Sequence, residues 1–243
     1  MNTLESFYNR YHAKNAFFFK TIDASNCTYF YILQLLQQAD ALTGATVLDL
    51  GCGVGAVSFF MAQHGAKAVI GLDVSSRAIG IAQAAQQQVQ QPNLIFKCGE
   101  LVTKMHGFDT IFCSEVIEHV KDDAHFLDVI HSNLKVGGTL ILTTPSKENV
   151  LFKLGFYRSF DSEVGHYRRY TKESLQQLLK AHGFDVKSIR AVEGPLRNIL
   201  YTTKLGFLIR FIRGPLVPVF HFFDSISAQL FGASDIQVIA KKI

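Results

Sequence analysis

A doubly wound α/β sheet is the architecture this sequence predicts, and three observations predict it. Short apolar runs of strand length alternate with helical patterns from about Thr46 onward. The stretch Thr46-Val-Leu-Asp-Leu-Gly-Cys-Gly-Val-Gly55 ends one such run in a glycine-rich turn and opens a helix at Ala56, the arrangement that places a ligand at the carboxyl edge of a parallel sheet. Finally, 243 residues with 48% hydrophobic content suffice for one α/β domain with additions and a large core.

Composition removes several classes. Net charge is +4 and no run of five or six like charges occurs, so no nucleic-acid partner is expected. The four cysteines, Cys27, Cys52, Cys98 and Cys113, show no Cys-x-x-Cys spacing, which fits reduced thiols and a cytoplasmic location. Met1 to Lys14 lacks the basic start and apolar stretch of a signal peptide, and no window of about 18 residues is apolar throughout.

Taken in order, residues 1–44 read as a helical extension. Leu4, Phe7, Tyr8 and Tyr11 recur at helical spacing, and Tyr29 to Leu42 forms a second apolar-rich helix ending near Gly44. Residues 45–190 read as the ligand-binding core. In strand one, Val47, Leu48 and Leu50 are interrupted only by Asp49, and Gly51, Gly53 and Gly55 let the backbone turn against a ligand. The run Gly51-x-Gly53-x-x-Ala56 also satisfies a dinucleotide fingerprint, which keeps a nicotinamide-dependent oxidoreductase as an alternative. Asp49, two residues before the first glycine, disfavours a pyrophosphate and favours a cation. Ala68–Asp73 is strand two; Asp73 at its end suits two ribose hydroxyls, and Ser75 and Ser76 offer caps for a helix over Arg77–Gln90. Strand three spans Pro92–Cys98 and strand four Phe108–Cys113.

The acid-x-Gly-x-Gly-x-Gly run at Asp49–Gly55 resembles the first motif of class I S-adenosylmethionine-dependent methyltransferases, and the resemblance extends to about Gly183. It implies a Rossmann-like sheet of seven strands with the last antiparallel. It also implies a cofactor site in which Asp49, Gly51, Cys52, Gly53 and Gly55 hold the methionine part, Asp73 and Val74 the ribose side, Glu100 and Leu101 the adenine, with Ser114 alongside. Glutamate replaces the usual aspartate at position 100.

After strand four, Glu115, Glu118 and His119 fall at i, i+3 and i+4, so a helix would place them on one face at the carboxyl edge of the sheet. Three uses compete: His119 as a general base oriented by a glutamate, a divalent metal such as Mg²⁺ on Glu115, Glu118 and His119, or a self-satisfied helix start. The run Glu115-x-x-Glu118-His119 resembles the metal-binding motif of ubiquinone-biosynthesis O-methyltransferases and of small-RNA 3′-end methyltransferases. A helix over Ala124–Leu134, the breaker pair Gly137-Gly138 and strand five at Thr139–Thr143 follow. Residues 147–164 are irregular and aromatic, fit for a flap over the site.

Gly165-His-Tyr-Arg-Arg-Tyr-Thr171 suits an anionic or hydroxylated acceptor, with His166 a second candidate base or a further metal ligand. The same stretch resembles methyltransferases of small-molecule, lipid-linked or saccharide acceptors; a protein that binds the cofactor without catalysis is a further alternative. Thr171 caps a helix over Lys172–His182 that ends at Gly183, and strand six follows at Phe184–Arg190. Strand seven appears only at Asp235–Lys241. Residues 191–234 therefore form an apolar insertion carrying Arg197, Lys204, Arg210 and Arg213, with three uses open to it: an added helical layer or dimer face, a lid over a greasy acceptor, or a peripheral membrane contact.

Overall fold

The computed structural model describes residues 22–23, 26–103, 107–156, 161 and 163–243. The helical spacing read through Leu4, Phe7, Tyr8 and Tyr11 lies outside them, as do five residues of the flap expected at 147–164, namely 157–160 and 162.

Strands β1 (Thr46–Leu50), β2 (Ala68–Asp73), β3 (Leu94–Cys98), β4 (Phe108–Ser114), β5 (Leu134–Pro145), β6 (Phe184–Val192) and β7 (Asp235–Lys242) form one sheet in the order β3-β2-β1-β4-β5-β7-β6. Only β7 runs against its neighbours. The near-continuous apolar character of β1 follows from its central place, because both of its faces are covered. Its register sets Leu48 beside Ile70 of β2 and Ile111 of β4.

Helices α1 (Phe30–Ala39), α2 (Ala56–Gln63), α3 (Ser76–Val89), α4 (Asp123–Asn133), α5 (Val150–Lys153), α6 (Lys172–Ala181), α7 (Pro195–Thr202) and α8 (Leu216–Phe231) complete the described elements, with 3-10 turns at Ile117–His119 and Lys204–Phe211. Side chains alternate along the strands, so each face has its own core. On one face Val47, Val69 and Ile141 meet Leu36, Phe59, Met61 and Ile79 from α1, α2 and α3. On the other, Leu48, Ile111 and Leu140 meet Leu127 and Ile130 of α4 and Leu175 and Leu179 of α6.

Several boundaries move from their expected places for local reasons. Helix α1 stops at Ala39 because Asp40 turns left-handed (φ 44°). Strand β5 begins at Leu134, ahead of Gly137-Gly138: the glycines sit in a bulge rather than a break, and the register jumps from Phe108↔Leu134 to Thr110↔Thr139. The insertion between β6 and β7 is helical, made of α7, the second 3-10 turn and α8.

Candidate active site

The carboxyl edges of β1, β2, β3 and β4, with the loop before α6, carry the candidate residues. Gly51, Gly53 and Gly55 all have positive φ (76°, 53° and 87°). A Cβ at Gly51 would collide with Val116, and one at Gly55 would lie 2.5 Å from the Phe96 ring, so the loop is shaped as a bare backbone cradle leading into α2. Asp73 holds that cradle to β2: one carboxylate oxygen accepts from Gly53 N–H and the other from Ser75 N–H, both at 2.8 Å. Asp49 is only 2% exposed and its carboxylate accepts from the Ser58 hydroxyl of α2. It therefore lies beneath the loop, and burial raises its carboxyl to about 7. Cys52 and Val74 are half-buried at the loop and after Asp73, while Glu100 is exposed and Leu101 half-buried beyond β3.

Beside the cradle, β4 ends in a polar knot. Ser114 shares a hydrogen bond with the Thr143 hydroxyl (2.9 Å), which donates to Glu115 (2.7 Å); Thr144 donates to Glu118 at 3.0 Å. The expected helical face does not form. Glu115 takes a left-handed conformation (φ 56°), and only Ile117–His119 makes a short 3-10 turn. Glu115 thus leaves the helical face expected with Glu118 and His119 and turns toward Asp235 and Glu193, while its charge still reaches Glu118. It is exposed to solvent yet enclosed by protein, as at the floor of an open cleft, and that enclosure raises its carboxyl to about 7.

What the structure brings together instead is Glu118, His119 and His166, whose ligand atoms all lie within 4.8 Å of one another. Their chemistry follows from their other partners. His119 Nδ1 faces the Gly165 carbonyl at 3.3 Å and must donate to it; His166 Nδ1 donates to Asp161 at 2.9 Å. Both tautomers leave the lone pair at Nε2. Glu118 is fully buried, and its Oε1 has no hydrogen-bond partner although His119 Nε2 lies 3.9 Å away. Burial and the neighbouring Glu115 hold the Glu118 carboxyl far above the usual range. Burial, aided by His166, pushes His119 down to about 4, and burial lowers His166 as well despite Asp161. Two neutral imidazoles facing the orphaned Oε1 of Glu118 form a donor set that fits a divalent cation, which would displace the carboxyl proton on binding.

The arginines after His166 are not turned to an acceptor. Arg169, 7% exposed, forks onto Asp161 and reaches the Ser146 carbonyl. Arg168 pairs with Asp123 at 2.8 Å, and the buried Tyr170 donates to the same carboxylate at 2.7 Å. These side chains pin the loop that carries His166.

Reading the sequence missed five partners. Asp161 and Glu193 carried no role in the sequence and Asp235 only the start of strand seven, and the fold alone brings the latter two to Glu115. Thr143 and Thr144 did carry a signal, since two hydroxyls closing a central strand before Pro145 face the ligand edge.

Comparison with known proteins bears on the family and the fold. A family model described as a methyltransferase domain matches residues 24–189. A ubiquinone biosynthesis O-methyltransferase of Coxiella burnetii is 36% identical over 180 residues, covering 68% of this chain and 75% of that protein. Among solved structures, magnesium protoporphyrin IX methyltransferase of Synechocystis aligns over 98% of this chain and 94% of its own (TM-score 0.63, 18% identity). A phosphoethanolamine N-methyltransferase of Haemonchus contortus aligns over 99% and 60% (TM-score 0.69, 16% identity). At such identities these two show the shared fold alone.

Proposed function

Starting from a chain that belongs to the class I S-adenosylmethionine-dependent methyltransferases, we propose that the methyl group goes to a hydroxyl oxygen of a small-molecule, lipid-linked or saccharide acceptor. One observation carries this reading: Glu118, His119 and His166 converge beside the glycine cradle. Such a group serves removal of a hydroxyl proton, whereas a neutral amine would need no base. The 36% identity to a ubiquinone biosynthesis O-methyltransferase supports the same choice of oxygen. The family match leaves the nicotinamide alternative without support.

In the cofactor half, the Gly51–Gly55 backbone receives the methionine part, Asp73 and Val74 the ribose side, and Glu100 and Leu101 the adenine. Asp49 acts from below by fixing α2 through Ser58, and Ser114 lines the edge nearest the acceptor. Displacement at a sulfonium methyl needs alignment above all; near-attack positioning is worth up to about 7–11 kcal/mol. On the acceptor side, His166 is oriented by Asp161 with its basic nitrogen at Nε2, so it is suited to take the hydroxyl proton; His119 is the second candidate. Alternatively Glu118, His119 and His166 would hold a divalent ion, with Glu115 outside that set; the Nε2 lone pairs would then belong to the ion, and its positive charge, in place of a histidine base, would favour the ionised acceptor oxygen. Two imidazoles and one carboxylate suit Mn²⁺ or Zn²⁺ better than Mg²⁺, which prefers oxygen ligands.

The test pairs labelled methyl transfer with metal titration. Labelled S-adenosylmethionine is offered with phenolic, lipid-linked and saccharide hydroxyl panels, and Mg²⁺ or Mn²⁺ is titrated calorimetrically into wild type and Glu118→Gln. Label should pass to a hydroxyl compound, and Glu118→Gln should weaken ion binding more than tenfold. Transfer confined to amines would overturn the oxygen assignment; unchanged ion binding in Glu118→Gln would remove the metal set.

A further inference from the structure

Helix α8 is built inside out. Leu216, Val219, Phe223, Ile226 and Leu230 recur at alternating spacings of three and four and form one stripe, and every one of them is exposed, Leu230 to 70%. The buried positions of the same helix are Val217, His221 and Asp224. An amphipathic helix on a protein surrounded by water places these faces the other way.

The polar face is locked in place. The fully buried Asp224 accepts from the backbone N–H of Gly194 (2.9 Å) and Arg197 (2.8 Å), capping the start of α7, and from the Tyr31 hydroxyl of α1 (3.0 Å). His221 stacks on Phe30 with ring centroids 3.9 Å apart and meets the Cys27 thiol. Rolling α8 to hide its apolar stripe would break all of these contacts and strand a carboxylate, so the stripe is held outward. Ile199 of α7 and Phe207 and Phe211 of the 3-10 turn are exposed as well and continue the apolar character of the insertion.

Charge narrows the occupant. Between Gly194 and Ser234 the sequence has four basic residues, Arg197, Lys204, Arg210 and Arg213, and a single acid, Asp224. The acid is buried within the helix network, and Arg197 is buried against Glu193 at 3.0 Å; Arg213 is exposed. A two-fold pairing of this face with itself would set basic against basic with no acid of the segment to compensate. An anionic lipid surface offers both an apolar layer and opposite charge. Length excludes a span: 16 residues extend about 24 Å, short of an apolar layer of about 30 Å. No helix among the described residues is long and apolar enough to cross a membrane.

We propose that residues 194–231 form a monotopic docking face that lays α8 flat in the headgroup boundary of an anionic bilayer. The face is independent of the acceptor's identity, and it would give the active site access to acceptors held in or near the membrane.

Flotation of the full chain with vesicles tests this. Vesicles of phosphatidylcholine alone are compared with vesicles containing about one-third phosphatidylglycerol, for wild type, Phe223→Ser/Leu230→Ser and Arg213→Glu, with S-adenosylhomocysteine binding as the check on folding. Wild type should float with the anionic vesicles and at least tenfold less with the neutral ones. The double variant should lose at least tenfold and Arg213→Glu several-fold, and added salt should weaken what remains. Absence of wild-type flotation on both vesicles would overturn the proposal. So would a solution dimer that the double variant splits and that does not float.

Discussion

Helices α6 and α8 come from the same chain and follow opposite rules. Helix α6 buries Leu175 and Leu179 against the sheet and turns Glu173, Gln177 and Lys180 outward, with Thr171 and Ser174 forming a reciprocal cap at its start. Helix α8 buries a histidine and an aspartate and presents Leu216, Phe222, Phe223, Leu230 and Phe231 to the outside. The difference teaches what each helix is for. The first is a wall of the core packed on β6, and exclusion of its apolar side from water stabilises it. The second is anchored by polar contacts so that its apolar side stays available to something other than water.

Substitutions should separate the two most sharply in stability. Leu179→Ala removes fully buried methyl groups and should cost about 2–5 kcal/mol, whereas Leu230→Ala should stay within about 0.5 kcal/mol. Urea unfolding of both variants measures this, and a large cost at Leu230 would mean that the α8 stripe is covered in solution. Next in size is Asp224→Ala, which strands two backbone donors and a tyrosine hydroxyl; a loss of roughly 3 kcal/mol is expected in the same measurement.

A smaller effect is read from pH. Burial, with Arg197 adding to it, pushes the His221 pKa down to about 4. The ring is neutral when folded and gains its proton more readily when unfolded, so this contribution is whole above a pH of about 6.5 and is lost as the pH falls toward 4. The loss should amount to about 1–3 kcal/mol. His119 and His166 shift in the same direction, so the measurement is the difference between wild type and His221→Asn, which should be largest near neutrality and shrink with acid. A difference that does not change with pH would show that His221 is not held neutral.

The sheet was readable from the sequence because strands buried on both faces leave apolar runs bounded by glycines and polar ends, as at Val47–Leu50 and Ala68–Asp73. The cradle was readable for a related reason: three alternating glycines are hard to explain unless the backbone must turn left-handed, and all three do. The acceptor side was less legible. Glu115 adopts a left-handed conformation that no spacing rule announces, so the supposed helical face came apart. Arg168 and Arg169 read like a ligand loop because an internal ion pair and an anion site use the same side chains; the partners Asp123 and Asp161 were visible only in three dimensions. For α8, the spacing of leucines and phenylalanines is the same whether the stripe faces in or out. Its orientation is set by Asp224, which lies in the middle of the helix and finds its donors on α7 and α1.

Calorimetric titration of S-adenosylhomocysteine into wild type and Asp73→Ala tests the central claim most directly, that the Gly51–Gly55 cradle tied to β2 by Asp73 is the methyl-donor site. The account predicts clear binding by wild type and at least a thirtyfold loss in the variant, with its unfolding transition otherwise retained. Equal affinity in the two proteins, or no binding by wild type, would contradict it.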